Sequence, residues 1–249
     1  MYAFCVKQPL SLENNSGCRK YYNEKGETMN RLKCLSGATL KHIALVTMLL
    51  DHMGAVLFPQ NLWLRIIGRM AFPIYCFLLA EGAHHTKNPG KYALRLFMGL
   101  VLAEIPYDLA LYGTISFAHQ SVMFTLLLAF LSIQSTRYFS GPMRLIGLIP
   151  IIAAELLHTD YGAMGVLTAV LFYITRNMEE KRLLQTVGLL ALGLSVISTS
   201  FIQPLAILAM IPISLYSGKK TTHSKALQWG FYLFYPVHLL VLLMISVFF

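Results

Sequence analysis

The sequence predicts an all-α integral membrane protein, a polytopic helical bundle of about nine transmembrane helices. Three observations carry this expectation. Of the 249 residues 56% are hydrophobic and 12% charged, with mean hydropathy +0.60, where soluble domains carry about 25% charged residues. From Gly37 onward apolar runs follow one another with short polar breaks, and the basic residues alternate between those breaks. The composition excludes an ordinary water-soluble enzyme and any long disordered segment. It also excludes a nucleic-acid binder, because the net charge of +9 reflects only 11 Asp and Glu in an apolar chain and not a dense basic surface.

Residues 1–36 read as a cytoplasmic polar tail without a signal-peptide pattern, and residues 37–249 as the transmembrane domain. Within the tail, Asn14 and Asn15 lie in a stretch that reads as flexible. Met29-Asn30-Arg31-Leu32-Lys33 reads as a second bacterial start, which would make the residues before it dispensable. The apolar runs place spans near 38–58, 66–83, 92–112, 119–136, 143–157, 161–175, 183–198, 201–216 and 229–249. Crossing the hydrocarbon takes about 20 helical residues and seldom fewer than about 17. The fifth to eighth spans are therefore expected to extend into their loops or to cross incompletely. The runs lack the period-two alternation of a membrane barrel, and without a barrel only helices satisfy the backbone in lipid.

The basic residues give the direction of the chain. Lys7, Arg19, Lys20, Lys25, Arg31, Lys33 and Lys41 mark the tail and its junction. Lys87, Lys91 and Arg95, then Arg137 and Arg144, then Arg176, Lys181 and Arg182, then Lys219, Lys220 and Lys225 mark every second loop. Eighteen of the 20 Lys and Arg lie at these positions, and only Arg65 and Arg69 lie at the opposite ends. By the positive-inside rule this predicts a multi-pass protein of a bacterial cell membrane, amino terminus cytoplasmic and carboxyl terminus outside. Cys5, Cys18 and Cys34 are then expected as thiols of a reducing compartment, with no zinc-site spacing. Cys76 is expected as a small buried hydrophobe. There is no metal motif, P-loop, GxGxxG or GxSxG elbow.

Ionisable groups inside spans cost a few kcal/mol each at mid-bilayer, so they have partners and often a function. At about 1.5 Å per residue, Asp51 and His52 fall about 10 Å inside the outer end of the first span. Arg69, Glu104, Asp108 and Glu155 share the outer part of the membrane, and His158, Asp160 and Tyr161 the outer turn after the fifth span. Asp51 and His52 are neighbours, about 100° apart around the helix, so they cannot pair with each other. His52 is expected to find an orienting carboxylate on another helix, and Asp51 its cation in Arg69. A mid-span imidazole beside a carboxylate suits general base work. Glu104 and Asp108 form an i,i+4 pair that repels if both ionise without a cation, with Pro106 bending the helix between them. Each has a plainer reading: a structural ion pair for Asp51 and Arg69, a satisfied core histidine for His52, a proton relay for Glu104 and Asp108. His238, after Phe234-Tyr235-Pro236, reads as a core hydrogen bond across helices.

A second cluster lies on the cytoplasmic side. Glu81, His84 and His85 share a helix face, and Lys91 and Arg95 stand one turn apart after Asn88-Pro89-Gly90. A helix start with two cations suits a phosphate group, while the plainer reading sets both cations against anionic lipid.

The runs Leu49-Leu50-Asp51-His52-Met53-Gly54 and Ile67-Gly68-Arg69-Met70-Ala71-Phe72-Pro73-Ile74 resemble the TraX family. So do Leu79-Ala80-Glu81-Gly82, His85-Thr86-Lys87-Asn88, Ala103-Glu104-Ile105-Pro106-Tyr107-Asp108-Leu109, Asp160-Tyr161-Gly162-Ala163-Met164-Gly165 and Phe234-Tyr235-Pro236-Val237-His238-Leu239. The resemblance covers about residues 38–240 and is closer to the chromosomal Gram-positive branch than to the plasmid members. The family's name comes from a protein linked to amino-terminal acetylation of conjugative pilin, and the family is similar to the multi-pass membrane acyltransferases. The resemblance implies an acyltransferase-like bundle that takes acetyl-CoA as acyl donor, without a metal. The acceptor would be an amine or hydroxyl on a membrane-embedded or exported peptide, protein or glycan. It puts the aspartate–histidine pair on Asp51 and His52, the arginine motif on Arg69 and the second-span glutamate on Glu81.

The enzyme reading assigns His52, Asp51, Arg69, Glu104 and Asp108 to catalysis, and Glu81, His84, His85, Lys91 and Arg95 to the CoA end. A proton-coupled transporter would use the same buried groups as a relay, but the chain lacks the inverted repeat many transporters have. A non-catalytic membrane partner of a secretion or pilus system would leave the charges structural.

Overall fold

The computed structural model describes residues 11–13, 19–22, 28–218 and 225–248, with side chains from residue 34 onward except 225–228. In the tail, β1 (Ser11–Glu13), β2 (Arg19–Tyr22) and β3 (Thr28–Lys33) pair antiparallel in that order. The segment from Met29 to Lys33, which reads as a second start, makes up most of β3. Asn14, Asn15, Cys5 and Cys18 lie outside the described residues. Cys34 is disulfide-bonded, where the sequence leads to the expectation of a thiol.

From Gly37 the chain is helical. The elements are α1 (Gly37–Val56), α2 (Leu62–Gly68), α3 (Ala71–His85), α4 (Pro89–Tyr112), α5 (Val122–Tyr138), α6 (Leu148–Leu156), α7 (Gly162–Ile174), α8 (Lys181–Ser195), α9 (Met210–Ser214) and α10 (Lys225–Phe248). Local chemistry sets several boundaries. Ser36 caps α1 by accepting from the Thr39 amide, and Asn88 caps α4 from the Lys91 amide with Pro89 next to it. Gly113, at φ 71°, ends α4 in the left-handed conformation that glycine tolerates.

All nine predicted apolar runs are helical, but their lengths differ. The second run is divided at Arg69–Met70 into α2 and α3. These two together, Leu62–His85, and α10 from Trp229 to Phe248 are the two helices among the described residues long and apolar enough to cross a membrane. The short runs gain length from 3₁₀ turns: Gly141–Gly147 leads into α6, Thr175–Asn177 extends α7 and Gln203–Ala209 leads into α9. The first and last of these open near a proline, Pro142 and Pro204, which has no amide to donate. Seven 3₁₀ residues followed by the nine of α6 rise about 27 Å.

Val46, Val101, Ile105, Ile149, Val187, Ile211 and Met244 stand outward among many other exposed apolar side chains. So much apolar surface is the chemistry of a membrane-associated protein. The packed interior runs through Ala44, Ile74, Ala83, Phe130, Phe172 and Ile213.

The loops gather at two ends. At one, Leu35 bridges to Tyr216, Arg137 donates to the Ala83 carbonyl at 2.7 Å, and Arg176 meets Glu81. At the other, Gln120 bridges to Thr159, Tyr107 donates to Asp160 and Glu104 accepts from Ser121. The polar residues that the sequence groups by depth are thus separated into two clusters in space.

Candidate functional site

The first cluster is built on Asp51, in the last turns of α1. Its carboxylate accepts from Arg69 Nη2 at 2.6 and 2.8 Å and from Arg65 Nη1 at 2.8 Å. Arg65 also donates to the Asp51 carbonyl at 3.1 Å. Arg69 is the expected partner; Arg65 is an added one, placed by its i,i+4 spacing on the same face of α2. Arg69 lies over the Tyr161 ring and Tyr161 stacks on Phe72, ring centroids 3.7 Å apart. The remaining Arg69 Nη1 points to Gln203 Oε1 at 3.4 Å, and Arg69 Nε is buried without a partner.

Gly68 permits this arrangement, since a Cβ there would overlap Asp51. Glycine-to-alanine in a helix ordinarily gains up to about 1 kcal/mol. Gly68→Ala is instead expected to cost about 1–3 kcal/mol, because the methyl forces α1 from α2. Thermal unfolding in detergent measures it, and an unchanged midpoint would show that the contact carries no weight.

His52 does not meet a carboxylate. Its Nδ1 lies 2.7 Å from His238 Nε2 of α10, and His238 Nδ1 lies 2.7 Å from the Phe234 carbonyl. The orienting partner that the sequence analysis assigns to a carboxylate is therefore a second imidazole. Tyr235 packs edge-on against both rings. Its hydroxyl is buried.

Beside this cluster is a cavity of about 530 Å³ bordered by Arg69, Tyr107, Asp160, Tyr161 and Gln203, with Leu167 and Leu192 on its wall. His52 does not border it. Asp160 accepts from Tyr107 Oη at 3.3 Å. It faces the cavity, yet the protein around it displaces bulk water and raises its carboxyl from the ordinary value, an effect Arg69 opposes. His158 beside it has φ 49°, a conformation costly for a residue with a Cβ, held by the Gln120–His158 and Asp160–Gln120 backbone bonds.

The other carboxylates at this end serve the backbone. Glu104 accepts from the amide and hydroxyl of Ser121, the residue before α5, and Asp108 accepts from the Ser116 amide at 2.8 Å. Glu155 accepts from the Ala163 amide in the first turn of α7. A carboxylate on free amides at a helix start is a cap. The i,i+4 pair of Glu104 and Asp108 is thus engaged with the α4–α5 loop and not with His52.

At the opposite end Glu81 pairs with Arg176 at 2.7 and 3.4 Å, and His85 Nε2 lies 3.7 Å from Glu81. The His84 ring meets the His85 ring edge to face. Arg95 lies over the Tyr92 ring and Lys91 is exposed; neither joins the Glu81–Arg176 pair. The five residues assigned to the CoA end thus form two groups, one centred on Arg176 and one on the start of α4. Arg65, His238, Asp160 and Arg176 complete the two clusters. The first two could have been found from helical spacing and from the need of a buried imidazole for a partner.

The family model for TraX protein matches residues 36–246. A Dichelobacter nodosus protein described as "Probable fimbrial assembly protein FimC, serogroup H1" is 33% identical over an alignment of 242 residues that covers 86% of this chain and 97% of that protein. An uncharacterized protein, RP591, of Rickettsia prowazekii (strain Madrid E) is 24% identical over 188 residues, 73% of this chain and 70% of that one. No solved structure matches. The matched region contains both polar clusters and the helices that hold them, and the chain belongs to the TraX family.

Proposed function

We propose that this protein is a multi-pass membrane acyltransferase that moves an acetyl group from cytoplasmic acetyl-CoA to an amine or hydroxyl of a membrane-held or exported acceptor, in the service of surface-fibre assembly. The observation that supports the reading is the buried His52–His238 imidazole pair between α1 and α10, on the same α1 whose Asp51 is bound to Arg69, a residue on the border of the cavity. An amine of pKa near 8 is mostly protonated at neutral pH, so a base is needed. His52 takes the acceptor's proton as its nitrogen attacks the thioester carbonyl. The carbon–nitrogen bond forms, the carbon–sulfur bond breaks, and the proton passes to the departing CoA thiolate. His52 is buried and does not border the cavity, so the packing around it has to open for an acceptor to reach it. Asp51, Arg65 and Arg69 hold α1 against α2 and fix the cavity wall.

The reading places nine spans in residues 37–249 with the amino terminus in the cytoplasm. A reporter in the Arg176–Arg182 loop is expected to be active only in the cytoplasm and one fused after Phe249 only outside. Finding both on one side would remove the two-ended arrangement of donor and acceptor. At the donor end, replacing Lys91 and Arg95 by Ala is expected to weaken acetyl-CoA binding in a folded protein, with a larger loss at low salt. Unchanged binding would move the CoA phosphates elsewhere, with Arg176, paired with Glu81, and Arg182, over the Phe77 ring, as the alternative cations.

The deciding experiment is purification in detergent with labelled acetyl-CoA, following binding, hydrolysis and transfer. The name of the Dichelobacter relative favours a second reading, a non-catalytic assembly partner. Such a partner neither binds nor consumes acetyl-CoA.

A further inference from the structure

The imidazole pair fixes its own protons. The Phe234 carbonyl can only accept, so His238 Nδ1, 2.7 Å away, carries a hydrogen. In neutral His238 the other nitrogen, Nε2, is then a lone pair. It lies 2.7 Å from His52 Nδ1, and that contact is a hydrogen bond only if His52 Nδ1 carries its own hydrogen. His52 Nε2 is left as a bare lone pair. Free histidine in water favours the opposite tautomer, with the hydrogen on Nε2. Among the described residues no carboxylate stands in the orienting role, and Asp51 is held by Arg65 and Arg69. Pro236 lies between Phe234 and His238 in α10 and lacks the amide that would donate to the Tyr232 carbonyl.

We infer that His238 is a positioning residue, which holds His52 in the Nδ1–H tautomer and so makes His52 Nε2 the basic nitrogen. The tautomer follows from the geometry; the task given to that nitrogen, removing the acceptor's proton, rests on the acyltransferase reading. After Nε2 takes up a proton, the Nδ1–H bond to His238 remains. The positive charge is then shared through His238 toward the Phe234 carbonyl.

The test uses the full chain in lipid with ¹⁵N-labelled histidine, the His52 signals being those lost in His52→Gln. The expected spectrum at neutral pH shows a protonated Nδ1 and an unprotonated Nε2 for His52. His238→Phe is expected to shift His52 toward the Nε2–H form. His238→Gln, whose amide oxygen reaches the place of the ring Nε2, is expected to keep the Nδ1–H form. His238→Asn, too short to reach it, replaces the phenyl variant if that does not fold. In transfer assays His238→Phe is expected to lower kcat roughly tenfold or more, as a lost orienting partner does, with KM for acetyl-CoA unchanged and most of the rate recovered in His238→Gln. An Nε2–H tautomer in the wild type, or an unaltered Nδ1–H tautomer after His238→Phe, overturns the inference. The expected spectra together with no transfer by the wild type leave the inference standing and overturn the acyltransferase reading instead.

Discussion

His52→Gln is expected to abolish acyl transfer while leaving a protein that is made, extracted and binds acetyl-CoA as before. The amide keeps the length of the side chain and a polar head at the place of Nε2, but it cannot take up a proton at neutral pH. A general base contributes about 10²–10⁴ in rate, roughly 3–5 kcal/mol of barrier. An imidazole that only bridges α1 and α10 contributes about 1–2 kcal/mol or less to stability in a membrane. The two roles therefore separate cleanly: loss of kcat at constant thermostability for the base, loss of thermostability at constant kcat for the bridge. His238→Gln is expected to lose much less, because its oxygen can still accept from His52. Transfer at the wild-type rate by well-folded His52→Gln would end the assignment and favour the assembly-partner reading.

What could be read from the chain, and what could not, follows from the range of each signal. Apolar runs report local burial in lipid or core, so all nine were legible as helices. Whether a run is one helix, a kinked pair or a 3₁₀ turn followed by a helix depends on prolines and packing. Arg69–Met70 and Gly141–Gly147 show this. Depth along a helix follows from counting residues, which is why Asp51, Arg69 and Asp160 were grouped correctly, as were Glu81 and His85. Partner choice between helices depends on rotation about each axis, which counting does not give. Hence the partner of His52 is His238 and not a carboxylate, and Asp51 serves two guanidinium groups. Glu104 and Asp108, adjacent on one face, diverge to Ser121 and Ser116 because a loop with unsatisfied amides lies beside them. A sequence shows that such carboxylates need partners, but a free backbone amide has no sequence signature of its own.

Asp51→Asn is expected to cost more stability than any other single change at the site. The carboxylate lies between Arg69, with the side chains of both 11% exposed, and Arg65, 29% exposed. Asparagine retains one oxygen but removes the charge, and two guanidinium groups are left facing each other in a largely water-excluded space. Breaking a buried ion pair from one side costs about 3–5 kcal/mol, because the stranded partner keeps its desolvation penalty. Arg69→Gln is expected to cost less than this, since Arg65 still neutralises Asp51. Arg65→Gln is expected to cost least, because its greater exposure lets solvent screen the pair. The double variant Asp51→Asn with Arg69→Gln is expected to recover part of the loss, as groups in one network are not additive. Thermal unfolding of the four variants and the wild type in one detergent gives the order. Equal midpoints for Asp51→Asn and the wild type would show that the guanidinium groups find water or other acceptors. A lower midpoint with the transfer rate per folded molecule retained would make Asp51 a holder of α1 against α2, leaving the chemistry to His52 alone.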